Sequence, residues 1–210
     1  MSCYLLPKWT YHVVTPFSRV QNLRRQLEMM TRFGVEWDLL IDANSRMKRS
    51  LPNWVRIFSF QPQQPFWRAW AHHLNQYIST VPIIPDDRYC ILNDDDFYEP
   101  GFFSKLDQHN GDVLICSMMR GQHVPLESGP LRSHPTDTLI ACAENMKVGR
   151  VGCEQMICSG KVFSTLHFVD DPCADGMAIV DASKRYPVEY VPDANVWFNY
   201  LEPGRWTQRP

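Results

Sequence analysis

The stretch Tyr89-Cys90-Ile91-Leu92-Asn93-Asp94-Asp95-Asp96-Phe97-Tyr98 decides how this chain is read. Its first four residues form an apolar run of strand length, and three consecutive carboxylates follow at once. Carboxylates clustered at one sheet edge repel one another unless a cation sits among them. All-oxygen ligands of this kind suit Mg²⁺ or Mn²⁺, and those ions in turn suit a diphosphate. The plainer alternative is a solvated acidic turn that caps the next helix.

The neighbouring segments place that strand in a repeating pattern. Tyr11-His12-Val13-Val14 is a strand candidate stopped by Thr15-Pro16, and Val20, Leu23, Leu27 and Met30 then recur at helical spacing. Trp37-Asp38-Leu39-Leu40-Ile41 is a second strand, ending at Asp42-Ala43-Asn44, and Trp54-Val55-Arg56-Ile57-Phe58 is a third. Phe66, Trp70, Leu74 and Ile78 mark one face of a helix, and Asp112-Val113-Leu114-Ile115-Cys116 is a fifth strand. Alternating strands and helices predict an α/β fold, a mostly parallel central sheet flanked by helices and joined by right-handed crossovers. Ligands of such sheets collect at the carboxyl ends of the strands. Thr15 to Arg19, Asp42 to Asn44 and Asp94 to Asp96 all fall there, and their common placement says more than any one of them.

The second half is less regular. Residues 117–150 hold Gly121, Pro125, Gly129, Pro130 and Pro135 and read as a long mobile loop. Gln155-Met156-Ile157-Cys158 reads as a strand closed by Ser159-Gly160, a helix is predicted from about Ala174 to Ser183, and Val188 to Pro192 is strand-like. The polar tail from Pro203 to Pro210 reads as a linker to further domains.

Bulk properties narrow the function classes. A chain of 210 residues can build one sizeable core, and a net charge of −2 offers no basic surface for nucleic acid or membrane. No apolar stretch approaches the roughly 20 residues of a membrane helix. Met1 to Pro7 is too short and uncharged for a signal peptide. The seven cysteines are odd in number and form no CxxC pair, which points to free thiols in a reducing, cytoplasmic setting. No GxxxxGK loop is present, which argues against a P-loop kinase.

Two of these segments carry a family resemblance. Val13-Val14-Thr15-Pro16-Phe17-Ser18-Arg19 resembles the opening strand and nucleotide loop of GT-A-fold glycosyltransferases, and is similar to the Val-Val-Thr-Pro segment of the animal beta-1,3-glucuronosyltransferases. Leu92 to Tyr98 resembles the Asp-Asp-Asp motif of that family, and Glu99-Pro100-Gly101-Phe102-Phe103 is similar to the family-2 glycosyltransferases. Order and spacing match over about the first 105 residues, while the second half matches in outline. The small size is also similar to that of a glycosyltransferase domain that chlorella viruses encode within a longer multi-domain protein. The resemblance implies one GT-A-type domain, with a nucleotide-sugar half at 1–105 and an acceptor half at 106–210.

It also implies roles. Asp96 and Asp94 would ligate Mn²⁺ or Mg²⁺, with Asp95 as the third candidate. Thr15, Pro16 and Arg19 would line the base and ribose pocket. Asp42 would accept the uracil N3–H, or else cap the turn before Asn44. Arg68 would reach the diphosphate or donor sugar through its planar fork, or else be an exposed helical arginine. Glu154 and Gln155 would face acceptor or donor hydroxyls, and Asn199, Tyr200 and Arg205 would touch the diphosphate or form a lid. In Asp170-Asp171-Pro172-Cys173-Ala174-Asp175, Asp175 matches the general base that deprotonates an attacking hydroxyl. Ala174 stands where many relatives have an acid, and Asp171 or Asp175 is equally explained as a helix N-cap or first-turn acid. The implied partners are a UDP-sugar and a glycan or glycoprotein acceptor. Two rivals stay open: a nucleotidyltransferase acting on sugar phosphates, which would normally show a glycine-rich basic loop, and a non-catalytic sugar-binding module.

Overall fold

The central strand β1 (Tyr11–Pro16) is buried along its whole length because parallel partners flank it on both edges. One partner is β2 (Glu36–Asp42) and the other is β4 (Arg88–Ile91). In this computed structural model, residues 9–43, 45, 51–63, 66–124 and 132–198 are described. From β1 the chain runs outward through α1 (Leu23–Phe33) to β2 and then to β3 (Val55–Phe60), each parallel to its neighbour. It returns through α2 (Phe66–Thr80) to β4 on the far side of β1. The order of connection therefore reverses between β1 and β4, and the crevice at their carboxyl ends is where open α/β sheets take ligands.

Period-two alternation on the strands separates two cores. Val13, Leu39 and Cys90 face the side of α1, where Met29 and Met30 are buried, together with Phe102 and Leu106 of α3 (Phe102–Leu106). Val14, Leu40 and Ile91 face Trp70, Leu74 and Tyr77 of α2. α1 ends where Gly34 takes a left-handed conformation (φ 64°) and donates its N–H to the Met30 carbonyl at 3.0 Å.

Beyond β4 the sheet continues with β8 (Met156–Ser159), antiparallel to β4, then β6 (Val113–Val124), β9 (Val188–Phe198) and β5 (Phe97–Tyr98). The short helix α4 (Gly160–Phe163) and the longer α5 (Ala174–Arg185) cover its second half. The described residues thus form an α/β fold with a largely parallel first half, as expected. The sheet is continuous across residue 105, since β8 inserts between β4 and β6 and β5 pairs with β9.

One expectation is corrected. Residues 117–150 are not simply a long loop: β6 runs on to Val124 and pairs antiparallel with β7 (Arg132–Leu139). Glycine and proline suggested a break because both are poor strand residues. Here Gly121 pairs opposite Pro135 beside a register shift between Arg120 and Gly121, and β7 pairs only with β6 among the described strands. An edge strand at an irregularity can accept a proline, whose missing N–H is not needed there. Asn44, Pro125, Gly129, Pro130, Asn199, Tyr200, Arg205 and the tail lie outside the described residues. No helix among the described residues is long and apolar enough to cross a membrane.

Candidate active site

The loops leaving β1 and β4 are tied together by one carboxylate. Asp94 Oδ2 accepts the backbone N–H groups of Ser18 and Arg19, both at 2.6 Å, and the Ser18 hydroxyl at 3.2 Å. Its Oδ1 pairs with the Arg19 guanidinium, which also lies 3.2 Å from Asp95 Oδ1. The Asp94 carbonyl accepts Asn22 Nδ2 at 2.9 Å. Burial works against the charge of Arg19, but Asp94 and Asp95 outweigh it and hold the guanidinium protonated beyond its usual range. Burial, opposed by Arg19 and reinforced by Asp94, raises the Asp95 carboxyl to about 6.

Asp96 points elsewhere. It is fully buried, and its Oδ2 accepts Asn93 Nδ2 at 3.1 Å. Asn93 also accepts the Trp70 indole N–H at 3.0 Å and directs its amide toward Cys153 Sγ at 3.9 Å. Gln26 of α1 donates to the carbonyls of Asn93 (3.3 Å) and Asp96 (2.9 Å) and fixes the turn from behind. Asn93, Gln26, Asn22 and Trp70 were not singled out as site residues in the sequence. Asn93 had one signal, its place between the apolar run and the aspartates.

A cleft of about 270 Å³ opens over this turn, lined on one side by Pro16, Arg19, Trp70 and Asp94 to Asp95. Its other wall is the start of α5, with Asp171, Pro172, Ala174 and Asp175. Asp171 Oδ1 accepts the Cys173 N–H at 2.7 Å and so shapes the turn into that helix, while Asp175 stands in its first turn. Two carboxylate groups distant in sequence therefore face one space.

The chain is similar to a solved 4-diphosphocytidyl-2C-methyl-D-erythritol synthase. The TM-score is 0.56 and the identity 9%, with 94% of each chain covered, so the similarity is one of fold. No known protein family and no curated protein matches the sequence.

The remaining predicted residues fall at varied distances from the cleft. Thr15 is fully buried, and its hydroxyl accepts the Trp37 indole N–H at 3.0 Å. Asp42 ends β2, its Oδ1 3.4 Å from His73 Nε2, yet neither atom makes a hydrogen bond. Burial lowers the His73 pKa, against the pull of Asp42. Arg68 pairs with Asp170 at 2.6 Å, both about half exposed. Gln155 is committed to the backbone, donating to the Cys116 carbonyl at 2.9 Å and accepting the Gly152 N–H at 3.1 Å. Glu154 is 1% exposed, and burial with Asp175 beside it raises its carboxyl to about 7.

Proposed function

We propose that the chain is a metal-dependent glycosyltransferase that moves a hexose or deoxyhexose from a UDP-sugar to a hydroxyl of a glycan or glycoprotein. The observation that carries this reading is the cleft at the β1–β4 crossover, which Arg19, Asp94, Asp95 and Asp175 line together. Three buried carboxylates, Asp94 to Asp96, stand against one guanidinium, and the Asp95 carboxyl is raised by burial first, with Asp94 adding to the rise and Arg19 opposing it. Their oxygen chemistry suits Mg²⁺ or Mn²⁺, but their side chains do not converge on one point as they stand, since Arg19 and two backbone N–H groups engage Asp94 and Asn93 engages Asp96. Asp95 faces the cleft directly, whereas Asp96 would have to exchange its Asn93 contact to act as a ligand. When bound, the ion would neutralise charge developing on the departing diphosphate.

The chain's own residues would do the rest. Pro16 and Trp70 offer flat apolar surfaces to base or sugar. The resemblance would give Asp42 the uracil N3–H, but Asp42 is not among the described residues that line the cleft, and its Oδ1 lies 3.4 Å from His73 Nε2. Asp175 would take the proton of the acceptor hydroxyl as its oxygen bonds to the anomeric carbon and the bond from that carbon to the phosphate oxygen breaks, releasing UDP. With retention of configuration Asp175 would position the substrate instead.

A second reading is nucleotidyl transfer onto a sugar phosphate. The fold similarity to a synthase named for a diphosphocytidyl product bears on it more directly than on the first. Against it, Arg19, the sole cation lining the cleft among the described residues, is already engaged by two aspartates, a limit that the diphosphate of a UDP-sugar meets as well.

Isothermal titration with UDP, with and without Mn²⁺, on the wild type, Asp95→Asn and Asp96→Ala tests the donor site. Binding that needs both the ion and the aspartates is expected, and unchanged affinity in both variants would sink the assignment. Product analysis separates the readings: UDP released from UDP-sugars supports glycosyl transfer, and pyrophosphate from CTP or UTP with a sugar phosphate supports nucleotidyl transfer.

A further inference from the structure

Below the α5 wall of the cleft, Cys153, Glu154 and Asp175 bring a sulfur and two carboxylates together. One ligand atom from each lies within 4.8 Å of the others. Cys153 Sγ lies 3.4 Å from Glu154 Oε2. Glu154 is 1% exposed, and its Oε1 has no hydrogen-bond partner. A buried carboxylate oxygen left without a donor is costly, and a cation satisfies it. The backbone makes room for this arrangement. A Cβ at Gly152 would collide with the Glu154 carboxylate, whose Cδ would stand 2.8 Å away. Glycine at 152 thus lets Glu154 fold back beside Cys153.

We propose that Cys153 Sγ and the carboxylates of Glu154 and Asp175 form a second cation site, selective for a thiophilic divalent ion of the zinc class. A thiolate with carboxylates is a zinc-type donor set, whereas Mg²⁺ and Ca²⁺ prefer oxygen alone. Three protein ligands leave a tetrahedral ion one open position. Asp175 lines the cleft, so the site has its entry there. Binding releases the thiol proton of Cys153 to solvent. An ion held this way occupies Asp175, so zinc would inhibit any transfer that uses it. The site itself is independent of the donor the cleft takes.

The test is titration of the full chain with Co²⁺, a spectroscopic stand-in for zinc, in a Cys3→Ala, Cys142→Ala, Cys173→Ala background that removes the exposed and half-buried thiols and the cysteine outside the described residues. The expected result is a saturable thiolate-to-metal absorption band that stoichiometric Zn²⁺ abolishes. Cys153→Ser loses the band while its circular dichroism stays unchanged, and Glu154→Gln keeps a band but needs more Co²⁺ to saturate. No band in the background protein, or a band that survives Cys153→Ser, overturns the proposal. Should Cys153→Ser not fold, the Glu154→Gln titration decides, and unchanged affinity there overturns it. Mn²⁺-dependent UDP binding is read separately, so failure of the donor site and failure of this site are distinguishable.

Discussion

Asp94 gathers two backbone N–H groups, a hydroxyl and a guanidinium from a single loop, Ser18 to Arg19, while itself 1% exposed. A carboxylate so fully engaged holds the β1 and β4 loops in register before any ligand arrives. Asp94→Ala would strand the two N–H groups and part of the Arg19 charge, at a cost of about 3–5 kcal/mol. Urea denaturation checks this, and a cost near zero would mean that the loop relaxes to water. Glu154 makes a pH-dependent contribution of the opposite kind. Its carboxyl is raised from 4.5 to about 7 by burial, then by Asp175, so the folded state binds the proton more tightly than the unfolded one. In metal-free buffer its contribution is fully present below pH 4.5 and is lost as pH rises through about 7. Glu154→Gln should flatten the fall in stability between those pH values, which thermal denaturation across that range would read. The aspartates were legible as residues. Their division of labour was not, because identical neighbours differ only in what surrounds them: Arg19 and two backbone N–H groups hold Asp94, Asp95 shares Arg19 at 3.2 Å, and Asn93 takes Asp96 away from the cleft.

At the scale of the element, β1 to β4 and β8 were found near their expected bounds because periodicity is local, whereas β6 and β9 run well past theirs, to Val124 and Phe198. The β6–β7 hairpin escaped because its glycine and proline are tolerated only through the partners that β6 and β7 find. The join from β8 to α4 is similarly set by a neighbour. Gly160 donates its N–H to the Asp87 carbonyl at 2.8 Å, and a Cβ there would run into the Ile84 carbonyl. Gly160→Ala should therefore cost about 1–3 kcal/mol or more, because backbone must move rather than a flexible side chain. A stability equal to wild type by denaturant titration would show that the 83–87 turn yields freely.

For the whole molecule, the cleft joins loops from the first half to the start of α5 from the second, so a ligand bound there should stabilise the sheet as one unit. UDP with Mn²⁺ at about 100 times its dissociation constant should add about 2.7 kcal/mol to folding stability. Scanning calorimetry would read this as a single transition moved upward, and a split transition would mean that the halves respond separately. The alternation of strands and helices and the carboxylates at strand ends were set by the sequence itself, through side-chain period and charge that act over a few residues, whereas the reversal of strand order between β1 and β4 was not. Tertiary structure alone decided that Asp175 faces Asp95 across the cleft, that Arg68 turns to Asp170, and that Cys153, Glu154 and Asp175 converge. Those meetings depend on how the two halves of the sheet lie side by side, a long-range packing outcome that no local pattern of residues encodes.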